Sequence, residues 1–459
     1  MTRAYEIRVM ILSALLPIVI FVAGGCGQAV SVNRIVTSNL VGDSYSLSIE
    51  AAEINGFAGL HSFAVAQYDR KWILIGGRTD GLHRRQPFAA FSPDGNNTNV
   101  IVIDPQTKQS WSAGIADLPP AISEQLQSTN MQFIQTGKTL YLIGGYGYSK
   151  AAGNHITHRS LIAVKLDGLV AAIQKGGTIN SHFRQIIDPI FALTGAQIGK
   201  IGDVYYLVGG QEFQGRYNPM GPDHGPGFIQ KYSDQIRRFR ILDDGIKLGV
   251  EKLAAVTDSD NLHRRDLNML PQIFANNKEG FTVFSGVFQV SANVPFTNTV
   301  DILPDKHTVN TSFTQYLNHY HSAKVALYDA AKESMENIFF GGISQYEDNA
   351  GTLTKNDDVP FTKVISKVTR DKFGKMSEVK LGDMPGYFGA SAEFLVSQDV
   401  SKFENDIVKI NDLKGDRLLL GHIVGGITSS QKSVFFSNRG SESTANKTIF
   451  AVWLTKIPK

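Results

Sequence analysis

Two copies of one short motif, Leu82-His83-Arg84-Arg85 and Leu262-His263-Arg264-Arg265, hold the densest potential chemistry in this chain. A guanidinium is a planar fork of donors that matches the oxygens of a carboxylate, sulfate or phosphate. Paired arginines therefore suit an anionic ligand. The same residues could instead brace their loops by pairing with Asp80, Asp260 or Asp266. Between the copies, Gly210 to Gly225 holds Glu212, Arg216, Tyr217 and His224. A carboxylate, an arginine, aromatics and a histidine together are what a carbohydrate site uses, and the Gly and Pro residues favour a shaped loop. Leu60-His61-Ser62 and Tyr320-His321-Ser322 echo one another. A His-Ser pair suits nucleophilic catalysis, but no third member stands at a fixed spacing, so a structural role at a channel mouth is expected. Asn318-His319-Tyr320-His321 and His155-Ile156-Thr157-His158 have spacings for two metal ligands. Neither has a carboxylate cluster beside it, and no metal or cofactor is expected.

The elements that must position these residues are written in a repeat. Six apolar runs end in Gly-Gly or its equivalent, at Gly76-Gly77, Gly144-Gly145, Gly209-Gly210, Ser285-Gly286, Gly341-Gly342 and Gly425-Gly426. Buried strands recurring at such a long period are the signature of a β-propeller, each repeat forming one four-stranded blade. In the first repeat the strands are read at Phe63–Ala66, Trp72–Ile75, Val100–Ile103 and Ser110–Ser112. The second is read at Met131–Ile134, Leu140–Ile143, Leu161–Val164 and Ala171–Ile173. The sixth repeat runs out of chain after Ile449–Leu454, and the alternating segment Tyr45–Ile49 is the natural donor of its outer strand. Such pairing would tie the two ends together and remove a free sheet edge. The fold class predicted is all-β: a six-bladed β-propeller, its ring closed by an N-terminal strand.

The first repeat, with its apolar strand, Gly-Gly, polar loop and then Asn97 to Trp111, resembles a kelch repeat. The second and third copies keep the pattern, and later ones are degenerate. The resemblance implies that the long loops after the glycine pairs open on one face, and that any site lies there. Kelch-like propellers include sialic acid mutarotases, which handle an anionic sugar with an acid/base pair and arginines. By that resemblance Glu212 and His263 are the acid/base candidates. Arg84, Arg85, Arg264, Arg265, Arg216 and Tyr217 are the ligand-binding candidates. A kelch-related oxidase family needs a Cys crosslinked to Tyr; the only Cys here is Cys26, which excludes that copper chemistry.

Among 459 residues, 45 basic and 42 acidic side chains leave a formal charge of +3, too balanced to imply nucleic acid as a partner. With one cysteine there is no intrachain disulfide. Arg3 and Arg8 precede an apolar stretch from Val9 to Val22, then Ala23-Gly24-Gly25-Cys26. This is the pattern of an export signal, too short for the roughly 20 residues that cross a bilayer. Small residues running into Cys26 resemble a bacterial lipobox, which implies lipidation of Cys26. Gly27 after it favours the outer membrane. The expected organisation is a signal peptide at 1–25, a tether at 26–43 and the propeller at 44–459. The expected function is a lipid-anchored binding or scaffold module for a protein partner or an anionic glycan, with a mutarotase-type enzyme as the alternative.

Overall fold

The computed structural model describes residues 35–458 apart from Pro219, Pro226 and Ala350. The signal segment, Cys26 and the start of the tether lie outside the described residues. What is described is all-β and propeller-like, with two short helices, α1 (Pro120–Leu126) and α2 (Leu166–Gln174), besides 3-10 turns.

Every glycine-pair strand pairs antiparallel with the inner strand of its sheet on one side and with the next strand outward on the other. In the first sheet the order is Ala64–Tyr68, Lys71–Ile75, Asn99–Asp104 and Gln109–Gly114. Five more sheets are built the same way around Thr139–Ile143, Val204–Val208, Lys278–Phe284, Ser334–Phe340 and Arg417–Ser429. Side chains alternate across a strand, so each buried strand feeds two cores. Ile73 and Ile75 pack with Leu140, Leu142 and Ile162 of the second sheet. Trp72 and Leu74 pack with Leu395 and Val424 of the last.

The glycine pairs join neighbouring sheets. The second residue of each pair donates its N–H to a carbonyl of the next repeat: Gly77 to Ser128 (2.9 Å), Gly145 to Leu193 (2.9 Å), Gly210 to Arg264 (2.6 Å), Gly286 to His319 (3.0 Å), Gly342 to Phe388 (2.8 Å) and Gly426 to Leu60 (2.8 Å). The first residue makes the approach possible. Gly144 stands at φ +62°, and a Cβ there would lie 2.0 Å from the Leu193 carbonyl oxygen. Only glycine fits that contact; the fourth pair makes its bond with Ser285, at φ +47°, in the first position.

A second cycle runs through the residues that lead into the inner strands. Ser62 N–H donates to Ser391, Ser391 to His321, His321 to Asp266, Asp266 to Gly195, Gly195 to Asn130, and Asn130 back to Ser62, at 2.7–3.2 Å. Each of the six sheets supplies one member.

At the N-terminus, β1 (Ile35–Val41) pairs with β2 (Tyr45–Ala52), and β2 pairs antiparallel with Ile449–Lys456 along its whole length. The stretch expected as tether up to residue 43 is therefore partly a strand, because Val41 finds a fully buried place in the core of the last sheet. A second difference lies in the second repeat. Ala171–Ile173, expected as a strand, belongs to α2. Leu169, Val170 and Ile173 fall at helical spacing and are buried, beyond a break in the helix at Asp167-Gly168, and the fourth strand is Phe183–Ile187.

Candidate functional site

Beyond the glycine pairs the chain leaves the sheets on one face, where some loops carry strands of their own. Tyr146–Ser149, Asn154–Thr157, Gln211–Gly215 and Phe228–Tyr232 join into a separate four-stranded sheet. This sheet forms part of the wall of a cavity of about 580 Å³. The hydrogen-bonded cycle of Ser62, Asn130, Gly195, Asp266, His321 and Ser391 is its floor, and a smaller cavity of about 200 Å³ lies beneath.

The residue after each glycine pair pairs back onto the residue just ahead of the floor position, and these couples ring the cavity. They are His61 with Arg78, Thr129 with Tyr146, Thr194 with Gln211, Arg265 with Val287 and Ala390 with Ile427. In the fifth repeat Tyr320 N–H donates to Ile343 (3.2 Å). The couples are polar in the first three repeats and aromatic or aliphatic in the last two.

Arg78 is 3% exposed, and its guanidinium grips Asp80 with two hydrogen bonds (2.8 and 2.6 Å). Burial alone would raise the Asp80 carboxyl, but His61 and Arg78 hold it down at about 2. His61 Nε2 lies 3.6 Å from Asp80, and His61 Nδ1 lies 3.0 Å from Ser62 Oγ. Asp80 arrives beside His61 from the long first loop, at a distance beyond a hydrogen bond. Burial holds both His61 and His83 below the usual histidine range, His83 at about 4, so both are neutral at pH 7. Across the floor, Arg265 pairs with Asp266, donates to Tyr232 Oη (3.2 Å) and lies over the Phe288 ring. Asp266 also accepts from Asn130 Nδ2 (3.2 Å). His321 Nε2 lies 3.2 Å from Glu393, which lines the lower cavity. Tyr217 stands in the wall with its ring against His83 (4.8 Å) and Phe213 (5.8 Å).

No protein-family model matches the chain, and no curated protein matches it. A solved structure titled "Structure of YjhT" aligns with 88% of this chain and 99% of its own, at 10% identity and a TM-score of 0.48.

The sequence-predicted arginines are not brought together. Arg85 and Arg265 line the cavity, Arg85 donating to the Phe436 carbonyl (2.8 Å). Arg84 is exposed and lies over Gly440. Arg264 is 1% exposed and braces its own loop: it donates to Asn261, Ser285 and Asn298 carbonyls and to Asn298 Oδ1, with Phe296 beneath it. Burial pushes this guanidinium down to about 9. Its neighbour Arg265 alternates to the cavity side of the chain. Arg216 donates to the Phe88 carbonyl (2.5 Å) and pins one loop to another. Tyr217 lines the cavity. Glu212 and His263 do not: Glu212 faces Arg159 (3.4 Å), and His263 is held by Asp234 (2.8 Å) and stacked on Tyr232. Arg78, Asn130 and Asp266 are cavity residues that no motif marks. The signal that finds Arg78, Tyr146 and Gln211 is their place directly after a glycine pair. Among the described residues no cluster of three or more His, Cys, Asp or Glu could hold a metal ion.

Proposed function

We propose that this chain is a six-bladed, kelch-like β-propeller, closed by β2, that binds an anionic glycan in its loop-face cavity. Two hydrogen-bond cycles that pass through all six repeats and return to the first support the ring. The observation that carries the ligand class is a sugar-sized cavity into which Arg265 and Arg85 reach from opposite sides, with tyrosines, amides and threonines around them. Concave sites of this volume suit small ligands better than a flat protein contact does. Arg265 Nε donates to Tyr232 Oη and its Nη1 to Asp266, and the side chain lines the cavity, where it offers a guanidinium to a carboxylate. Lipidation at Cys26 and residence at the bacterial outer membrane complete the reading; loss of labelled acyl incorporation in Cys26→Ser tests them.

Acid–base chemistry on the bound sugar is the second reading. It is favoured by Asp266 and His321, which are adjacent members of the floor and replace Glu212 and His263 in that role. Calorimetric titration of the full chain with methyl β-glucuronide and methyl β-glucoside tests the binding claim. The glucuronide is expected to bind and the glucoside to bind at least tenfold more weakly. Arg265→Gln should lose the glucuronide, and Arg84→Gln should not. Equal affinity for the two sugars refutes the anion reading.

A further inference from the structure

The cavity has a strongly polar part and an apolar part. From the first repeat to the fourth, its walls present His61, Arg78, Gln211, Arg265 and Asp266. Leu82, Phe91, Phe213 and Phe288 of these four repeats, and His321 and Ser391 of the last two, also line it. The fifth and sixth present Ile343, Ala390 and Ile427, backed by Val359, Phe361 and Val434 in an apolar cluster that also takes in Leu82 and Phe435. This cluster is separate from the cores between the sheets. It stands on the loop face, and at the cavity mouth it continues into Phe436, which is 63% exposed. Met220, 47% exposed, lines the same cavity from the third repeat's loop. An apolar wall of this kind contributes nothing to a sugar hydroxyl.

We infer that the ligand is an amphiphile: an anionic sugar head that also carries a hydrocarbon or aromatic group, which lies along Ile343, Ala390, Ile427 and the Phe435-Phe436 pair. The inference rests on the reading of the cavity as an anionic-glycan site and adds the second half of the ligand. Continuity of the cavity supplies the argument for one occupant, because Arg265 and Ile427 line the same volume and no wall divides them. Head and tail would be read by the two parts. The head faces the guanidinium edge of Arg265, and the tail replaces water on a surface that water wets poorly.

The test is calorimetric titration of the full chain with octyl β-glucuronide, methyl β-glucuronide and octyl β-glucoside, all below their micellar concentrations. Burying even two or three methylenes of the octyl chain predicts binding of octyl β-glucuronide at least about tenfold tighter than the methyl compound. Ile427→Asn should remove that advantage. Phe436→Ala, at an exposed side chain that folding does not need, should reduce it severalfold. Equal binding of octyl and methyl glucuronides overturns the inference, as does an octyl advantage that survives both variants. If octyl β-glucoside binds as tightly as octyl β-glucuronide, the apolar half stands and the anion reading fails. No binding of any of the three overturns both.

Discussion

Replacing Gly144 by alanine isolates what a glycine pair does. Gly144 and Gly137 have nearly the same backbone, φ +62° and +57°, and stand at the two ends of one strand. An alanine at either residue takes on the left-handed conformation, at a cost of about 1 kcal/mol. At Gly137 nothing lies within 4 Å of the new Cβ, and the cost ends there. At Gly144 the methyl group would meet the Leu193 carbonyl oxygen at 2.0 Å and the Phe191 oxygen at 2.7 Å. The two sheets must separate, and the bond from Gly145 N–H to Leu193 is lost. Leaving a buried donor and acceptor unpaired adds about 1–3 kcal/mol, so Gly144→Ala should lose about 2–4 kcal/mol in all. Urea denaturation followed by tryptophan fluorescence and by circular dichroism measures both variants. Losses equal within about 0.5 kcal/mol would refute the idea that glycine pairs join the sheets.

Stability should fall on mild acidification. Burial holds His83, His158, His319 and His422 at about 4 in the folded chain. The unfolded chain binds these protons near 6.5, so stability is full above that value and is lost as pH falls from 6.5 towards 4. Each residue contributes up to about 1.4 kcal/mol per pH unit. Denaturation midpoints at pH 7.0, 5.5 and 4.5 check this, and a flat profile contradicts it. Arg264→Ala should destabilise by about 3–5 kcal/mol, because it orphans the Ser285 and Asn298 carbonyls and empties a buried volume. Arg84→Ala should leave the midpoint within about 0.5 kcal/mol. Ile49→Asp puts a carboxylate where the side chain is 1% exposed against the last sheet. It should cost several kcal/mol and broaden the unfolding transition; a wild-type transition would argue against β2 as part of the folded body.

The second strands were legible in sequence because an apolar run followed by glycines is a local pattern. The outer strand from Tyr45 was legible because its alternation lacked a partner. The fourth strand of the second repeat was missed because Ala171–Ile173 is too short for strand and helix to be told apart. Leu169 and Val170, just before it, complete with Ile173 the helical spacing that decides the matter. The division of labour between Arg264 and Arg265 has no local signature. Arg264 turns inward because Asn298 and Ser285, both distant in the chain, offer oxygens that its guanidinium can reach. Arg265 is left to the cavity. In sequence Asp80 reads as a brace for the paired arginines. It serves Arg78 and His61 instead, because the loop folds back over its own start.

A structure of the full chain grown with octyl β-glucuronide tests the central claim most directly. The account predicts the carboxylate about 3 Å from Arg265, above the floor formed by Asp266 and His321, with the octyl chain against Ile343 and Ile427. Ligand bound on the outer edge of a sheet, or in the cavity with its carboxylate turned away from Arg265, would contradict it.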